Sequence, residues 1–330
     1  MVTWIILAVQ LASFNLSPTG RHHQYHWIKA LEKGTGREEA GWQEGTWPRI
    51  YVEVVVQRDT LLMIGSSRTW KSADGIHWRA FPHNGKWGKR YGASYTLFRD
   101  KIWLIGGMKT WDDFANDVWS SEDGLRWTLI TGSAPWRKRR GHATIVHDGM
   151  MWIIGGAESS GKPDVLPKGS LGDVWKTADG KAWELVVSNA PWQTEFSKEY
   201  FNTTTSGHQF NDALWVIGGP RENCVWQSSD GVHWTMVVGR AAWPTGYARG
   251  TAVYDHKLWV FGGADLNDVW FSSEGKTWEQ LTPNAPWSPR APGPVVVFNN
   301  RIWMFGGKTG RSNDHGDDVW YLESNTRYPQ

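Results

Sequence analysis

Lys257-Leu258-Trp259-Val260-Phe261-Gly262-Gly263, Asp268-Val269-Trp270-Phe271-Ser272 and Lys276-Thr277-Trp278-Glu279-Gln280-Leu281 decide the fold. The first is a short β-rich run stopped by two glycines. After a spacer, the second and third flank Ser273-Glu274-Gly275, and two strands joined by a Gly-containing turn make a hairpin. Upstream, Thr251-Ala252-Val253-Tyr254 turns at Asp255-His256 into the first run. The stretch therefore reads as four antiparallel strands, a to d.

The same pattern recurs about every 50 residues, and tryptophan marks its phase. Trp103, Trp152, Trp215, Trp259 and Trp303 precede Gly-Gly pairs on strand b. Trp70, Trp119, Trp175, Trp226, Trp270 and Trp320 end Asp-Val-Trp or its variants on strand c. Trp78, Trp127, Trp183, Trp234 and Trp278 follow a Ser-x-Asp-Gly turn, and Trp27 extends this set. Trp87, Trp136, Trp192, Trp243 and Trp287 end Ala-Pro-Trp or a variant in the loops, with Trp47 as a further member. Asp-Gly suits the c–d turn because that turn accepts positive φ.

A four-stranded sheet cannot bury both faces alone. Radial packing around an axis buries them and leaves only short edges. The large indoles are the expected wedges, each able to bury about 150–250 Å². The sixth unit ends after Asp318-Val319-Trp320-Tyr321 without a d strand, and Gln24 to Leu31 matches the missing one. The reading is a six-bladed β-propeller whose last blade is closed by an N-terminal strand.

Over residues 24–322 the Gly-Gly strands (106–107, 155–156, 218–219, 262–263, 306–307) and aromatic hairpins resemble the kelch repeat, in the branch related to the galactose-oxidase propeller. The first unit departs, with Gly65-Ser66. The resemblance implies a kelch-type propeller. It leaves open an interaction scaffold, a copper-radical oxidase or a sialic acid epimerase, because fold does not select function. The oxidase needs a cysteine cross-linked to tyrosine, and the single cysteine, Cys224, stands in the strand c Asp position, which argues against it.

Net charge is +2, with 35 basic and 33 acidic residues, so no field favours nucleic acid. One cysteine excludes an intramolecular disulfide and a multi-cysteine metal site. No metal-ligand spacing, nucleophile elbow, P-loop or dinucleotide fingerprint occurs, so neither metal nor cofactor is expected. Trp4 to Ala12 is too short to span a bilayer and suits the apolar core of a signal peptide, although Lys and Arg are absent before it. Residues 1–18 are thus an expected signal peptide and 19–330 a single propeller, monomeric and exported, with a cytoplasmic chain as the alternative.

Loop length carries the functional signal, because binding residues sit on loops held by rigid scaffolds. From the second Gly of the pair to the strand c Trp, the shortest units need seven residues, whereas the second, third and sixth need 12, 19 and 13. The d–a loop entering the fourth unit is lengthened through Thr194 to Tyr200. All four insertions belong on one face, where Trp111, Asp112, Asp113, Arg311 and His315 become ligand-binding candidates. Arg90, Arg139 and Arg290 each follow a loop Trp by three residues, and Arg249 follows Trp243 by six. They would either form a ring of guanidiniums for a carboxylate ligand or pair with Asp117, Asp173, Asp268 and Asp318. His142 and His208 lie on strand a, as channel-facing groups or as core histidines. Arg137 to Arg140 is expected to be a solvated loop tip. The expected function is a binding module for a protein or glycan ligand on this loop face. The alternative is an exported carbohydrate-active enzyme, sialic acid epimerase-like or a lyase, at the channel mouth.

Overall fold

The structure, a computed structural model, describes residues 23–31, 52–110, 112–158, 169–192, 205–218, 223–245, 248–263, 265–309 and 315–326. The expected signal peptide, Trp47 and most of the inserted sequence of the third and fourth units lie outside the described residues.

The described chain is all-β and forms a six-bladed propeller of antiparallel sheets. Blade 1 comprises Glu53–Gln57, Thr60–Ile64, Arg68–Ser72 and Arg79–Pro82, paired in chain order from inner strand a to outer strand d. Blades 2 to 5 repeat that order, with inner strands Ser94–Phe98, Ala143–His147, Thr205–Phe210 and Gly250–Tyr254. In blade 6, Val295–Phe298, Arg301–Thr309 and His315–Thr326 receive the N-terminal strand His23–Leu31 as outer strand. Trp27 pairs with Leu322 there and is fully buried, edge-on to Trp287 and Phe261. The ring therefore closes between the two ends of the chain, as the missing d strand required.

Each tryptophan set has one job in the joints between blades. The glycine of each c–d turn has positive φ and lies flat on the strand b indole of the preceding blade: Gly180 on Trp103, Gly231 on Trp152, Gly275 on Trp215 and Gly75 on Trp303. Gly124 meets Leu62, which holds the Trp position of blade 1. At the closure no c–d turn exists, and Tyr25 takes its place edge-on to Trp259 at 4.8 Å. The turn itself is locked by its acid. Asp230 Oδ1 accepts from the Val232 and His233 N–H groups, and the Gly231 N–H donates to Ser228 Oγ. The Trp234 indole N–H then donates to the Gly231 carbonyl. Loop tryptophans meet the next blade's hairpin tryptophans edge-on, as in Trp87–Trp127, Trp136–Trp183, Trp192–Trp234 and Trp243–Trp278. These indoles are architectural. Apart from the half-buried Trp183, the indoles of these loop–hairpin pairs are buried between blades.

Candidate functional site

Three blades rise above the ring on the d–a and b–c face. In blade 2 the b–c hairpin continues past Gly106 through the pairs Gly107–Ala115 and Met108–Phe114, and Tyr91 of the incoming loop bridges to Met108. In blade 3, Ala157–Glu158 pairs with Gly169–Ser170 on one side and with Arg139–Arg140 on the other. In blade 6, Lys308 pairs with His315, and Arg290–Pro292 pairs alongside as a third strand. The described parts of these units thus build tongues flanked by a third segment, a strand in blades 3 and 6 and a single bridge in blade 2. Blade 1 closes instead with a tight turn, the Gly65 N–H donating to the Arg68 carbonyl.

The arginines do not offer a ring of open guanidiniums. Each closes on an aspartate of its own blade. Arg90 donates to both oxygens of Asp117 at 3.0 and 2.6 Å, and Arg139 to both of Asp173 at 2.8 and 2.6 Å. Arg249 reaches Asp268 at 3.0 and 3.3 Å despite its shifted position, and Arg290 grips both oxygens of Asp318. Arg90, Arg139 and Arg290 also donate to the first glycine carbonyl of the pair, Gly106, Gly155 and Gly306. The indole N–H two residues after each aspartate donates to the same carboxylate: Trp119, Trp175, Trp270 and Trp320. This explains the Asp-Val-Trp triplet. Burial alone would raise the Asp318 carboxyl, but the Arg290 guanidinium and the Trp320 indole hold it below the ordinary range. In blade 4, Cys224 replaces the aspartate, and its thiol donates to Gly218, the corresponding glycine carbonyl.

The remaining candidates divide. Asp112 and Asp113 sit at the tip of the blade 2 tongue. Asp112 accepts from Thr110 Oγ1, and Asp113 pairs loosely with Lys109 and Lys138. Lys308–His315 pairing places His315 in the blade 6 tongue, whereas Trp111 and Arg311 lie outside the described residues. The expected solvated tip at 137–140 is solvated only in part. Arg139 and Arg140 are buried, and Arg140 lies over the rings of Tyr91 and Phe114. His142 is buried against Gly106 in the joint between blades 2 and 3, and burial pushes it down to about 3, helped by the neighbouring Arg139 charge.

The inner strands contact one another in a closed ring of six around the axis. Register aligns Glu53, Ser94, Ala143, Ser206 and Gly250, opposite Ile64, Ile105, Ile154, Ile217 and Phe261, with Pro294 bonded beside Phe305. The next residue of each strand packs between the first and third of the preceding blade. A Cβ on Gly207 would meet Ala143 and Ile145, Thr144 shares a hydrogen bond with Ser94, and Thr251 bonds His208 Nε2 at 2.8 Å. The same rule sets Tyr95 beside Glu53, and burial first, then the Glu53 charge, raise the Tyr95 hydroxyl. Glu53 is the departure sequence reasoning missed. A carboxyl stands where the other blades carry Ser, Ala, Gly or Pro. It is half-buried at the start of the inner strand with no hydrogen-bond partner among the described residues, and burial pushes it up to about 7. Burial also lowers His208, to about 4, so its imidazole is neutral.

A structural relative supports the architecture. The chain is similar to a solved structure described as "Structure of YjhT", with a TM-score of 0.64 at 15% identity over 84% of this chain and 97% of that one. At that identity the likeness shows the fold alone. No family model matches the chain, and no curated protein matches it. Among the described residues, no helix is long and apolar enough to cross a membrane, and no cluster of His, Cys, Asp or Glu could hold a metal ion.

Proposed function

We propose that this chain is a kelch-type propeller acting as a binding module, its loop face receiving a protein or glycan ligand. The observation that carries the reading is the set of three tongues on blades 2, 3 and 6, all raised on one face of the ring. A rigid ring beneath uneven, β-ordered projections is a scaffold for recognition. Residues 109–113 replaced by a two-residue turn would shorten the blade 2 tongue without touching the ring. Immobilised wild-type and shortened proteins, probed with a glycan panel and with soluble proteins of the native host, should differ in capture and not in melting temperature. Identical capture by both would remove the loop face as the site.

Glu53 favours a second reading, an exported carbohydrate-active enzyme working at the channel mouth. A carboxyl titrating near 7 beside a tyrosine hydroxyl suits general acid–base work. Proton NMR of any captured glycan, recorded in deuterated buffer, distinguishes the readings, because isotope exchange at a sugar carbon requires turnover. We also propose export. Protein recovered from the native host should then begin between Ser13 and Arg21, and an intact Met1 on cytosolic protein would refute it.

A further inference from the structure

The channel differs in chemistry from the face above it. None of the six inner strands contains lysine or arginine. Toward the mouth they carry one carboxyl, Glu53, the Tyr95 hydroxyl, the Ser94–Thr144 pair and the His208–Thr251 pair, while Gln57, His147, Gln209 and Tyr254 lie toward the other ends of the strands. Blades 1 and 4 stand opposite each other in a ring of six, so Glu53 and His208 belong to opposite walls. At the mouth, the positive charge of Arg90, Arg139, Arg249 and Arg290 is cancelled by aspartate partners within hydrogen-bond distance. A carboxylate ligand entering here finds an ionisable acid and no uncommitted guanidinium from these four residues. Stripping water from an anion without a compensating charge is costly.

We infer that the channel mouth is a binding site for an uncharged polyhydroxylated ligand, a neutral sugar by class, held by Glu53 and Tyr95 from one wall and by the His208–Thr251 pair from the other. This rests on the reading of the loop face as a binding face, and it narrows the ligand. Sugar hydroxyls both donate and accept, so they match groups that do the same. A protonated carboxyl donates through one oxygen and accepts through the other. A neutral imidazole offers one donor and one acceptor nitrogen, and the hydroxyls of Tyr95 and Thr251 adapt to either role. Glu53 has no protein hydrogen-bond partner among the described residues and is half-exposed, so its carboxyl stays open to a ligand hydroxyl. Its near-neutral titration fits the same picture, since an acid that keeps its proton suits an uncharged ligand.

The test uses the intact propeller and three charge classes of sugar. D-galactose and N-acetyl-D-glucosamine are the neutral probes, N-acetylneuraminic acid the anion and D-glucosamine the cation, titrated by tryptophan fluorescence and calorimetry. A neutral probe should bind more tightly than either charged one. Glu53→Ala should weaken it about tenfold or more, the loss expected when a buried hydrogen bond is left unmade. Glu53→Gln should stay within about threefold of wild type, because the amide still donates and accepts. Preference for N-acetylneuraminic acid, preference for glucosamine with loss of binding in Glu53→Gln, or no saturable binding of a neutral probe would each overturn the inference. Glycan or protein capture that survives Glu53→Ala but is lost on shortening residues 109–113 would overturn this inference and leave the binding-module reading standing.

Discussion

Arg290 and Asp318 are buried together, with side chains only 3% and 9% exposed. Removing one partner strands a charge, which typically costs about 3–5 kcal/mol, whereas replacing both by apolar groups of similar size is often nearly neutral. Arg290→Ala should therefore lower the denaturation midpoint strongly, and Arg290→Met with Asp318→Leu should recover most of the loss in urea titrations. Folded Arg290→Ala that lost only ligand binding would instead make this arginine a contact residue. The acids also act oppositely with pH. Asp318 is held below its ordinary value, so its contribution is present at neutral pH and is lost as pH falls through the folded-state value. Glu53 is raised from 4.5 to about 7, so the unfolded chain gives up this proton first and stability declines as pH rises between those values. Glu53→Gln should match wild type in melting temperature at acid pH, exceed it increasingly through that window and hold a constant advantage above it. A constant difference at every pH would show that Glu53 titrates normally.

At the scale of one element, the c–d turn shows how a glycine can be required twice. Gly231 has φ of +74°, and a Cβ there would stand 2.2 Å from the Trp152 ring. Gly88 has φ of +72°, and a Cβ would meet nothing within 4 Å. Alanine at Gly88 should cost only the left-handed strain, about 1–2 kcal/mol. Alanine at Gly231 should add overpacking of about 1–3 kcal/mol and part blades 3 and 4. Equal losses in chemical denaturation would mean that the turn is free to lift off the indole.

For the whole molecule, closure is the decisive contact. His23–Leu31 supplies the last outer strand, and Tyr25 ties it to blade 5 by donating to Asp255 at 2.6 Å. A chain lacking residues 1–31 loses the Trp27 indole and opens one sheet edge. Truncating a buried Trp alone costs about 3–5 kcal/mol, and an open edge invites aggregation. That chain should melt well below one lacking only residues 1–18, and should bind a hydrophobic dye when the shorter truncation does not. Coincident melting curves would mean that the ring holds without its N-terminal strand.

Period and chemistry at fixed phase were legible from the residues alone. Gly-Gly after five of the six b strands, Asp-Gly or Glu-Gly in the five c–d turns and an indole at each joint are local requirements, and their repetition makes a local signal unmistakable. The missing d strand could be found by the same matching, because Trp27 carries the phase of Trp234. The tongues were legible as extra length, though not as extensions flanked by a third segment, since pairing of Tyr91 with Met108 joins segments that only the ring brings together. The arginines show the limit most clearly. Their spacing fitted an open anion site as well as an ion pair, and only the fold sets Arg90 2.6 Å from an oxygen of Asp117. Glu53 is the converse case. In sequence it is an ordinary carboxyl ahead of a valine run, and its weakened acidity arises only because the fold partly buries it at the inner edge of blade 1.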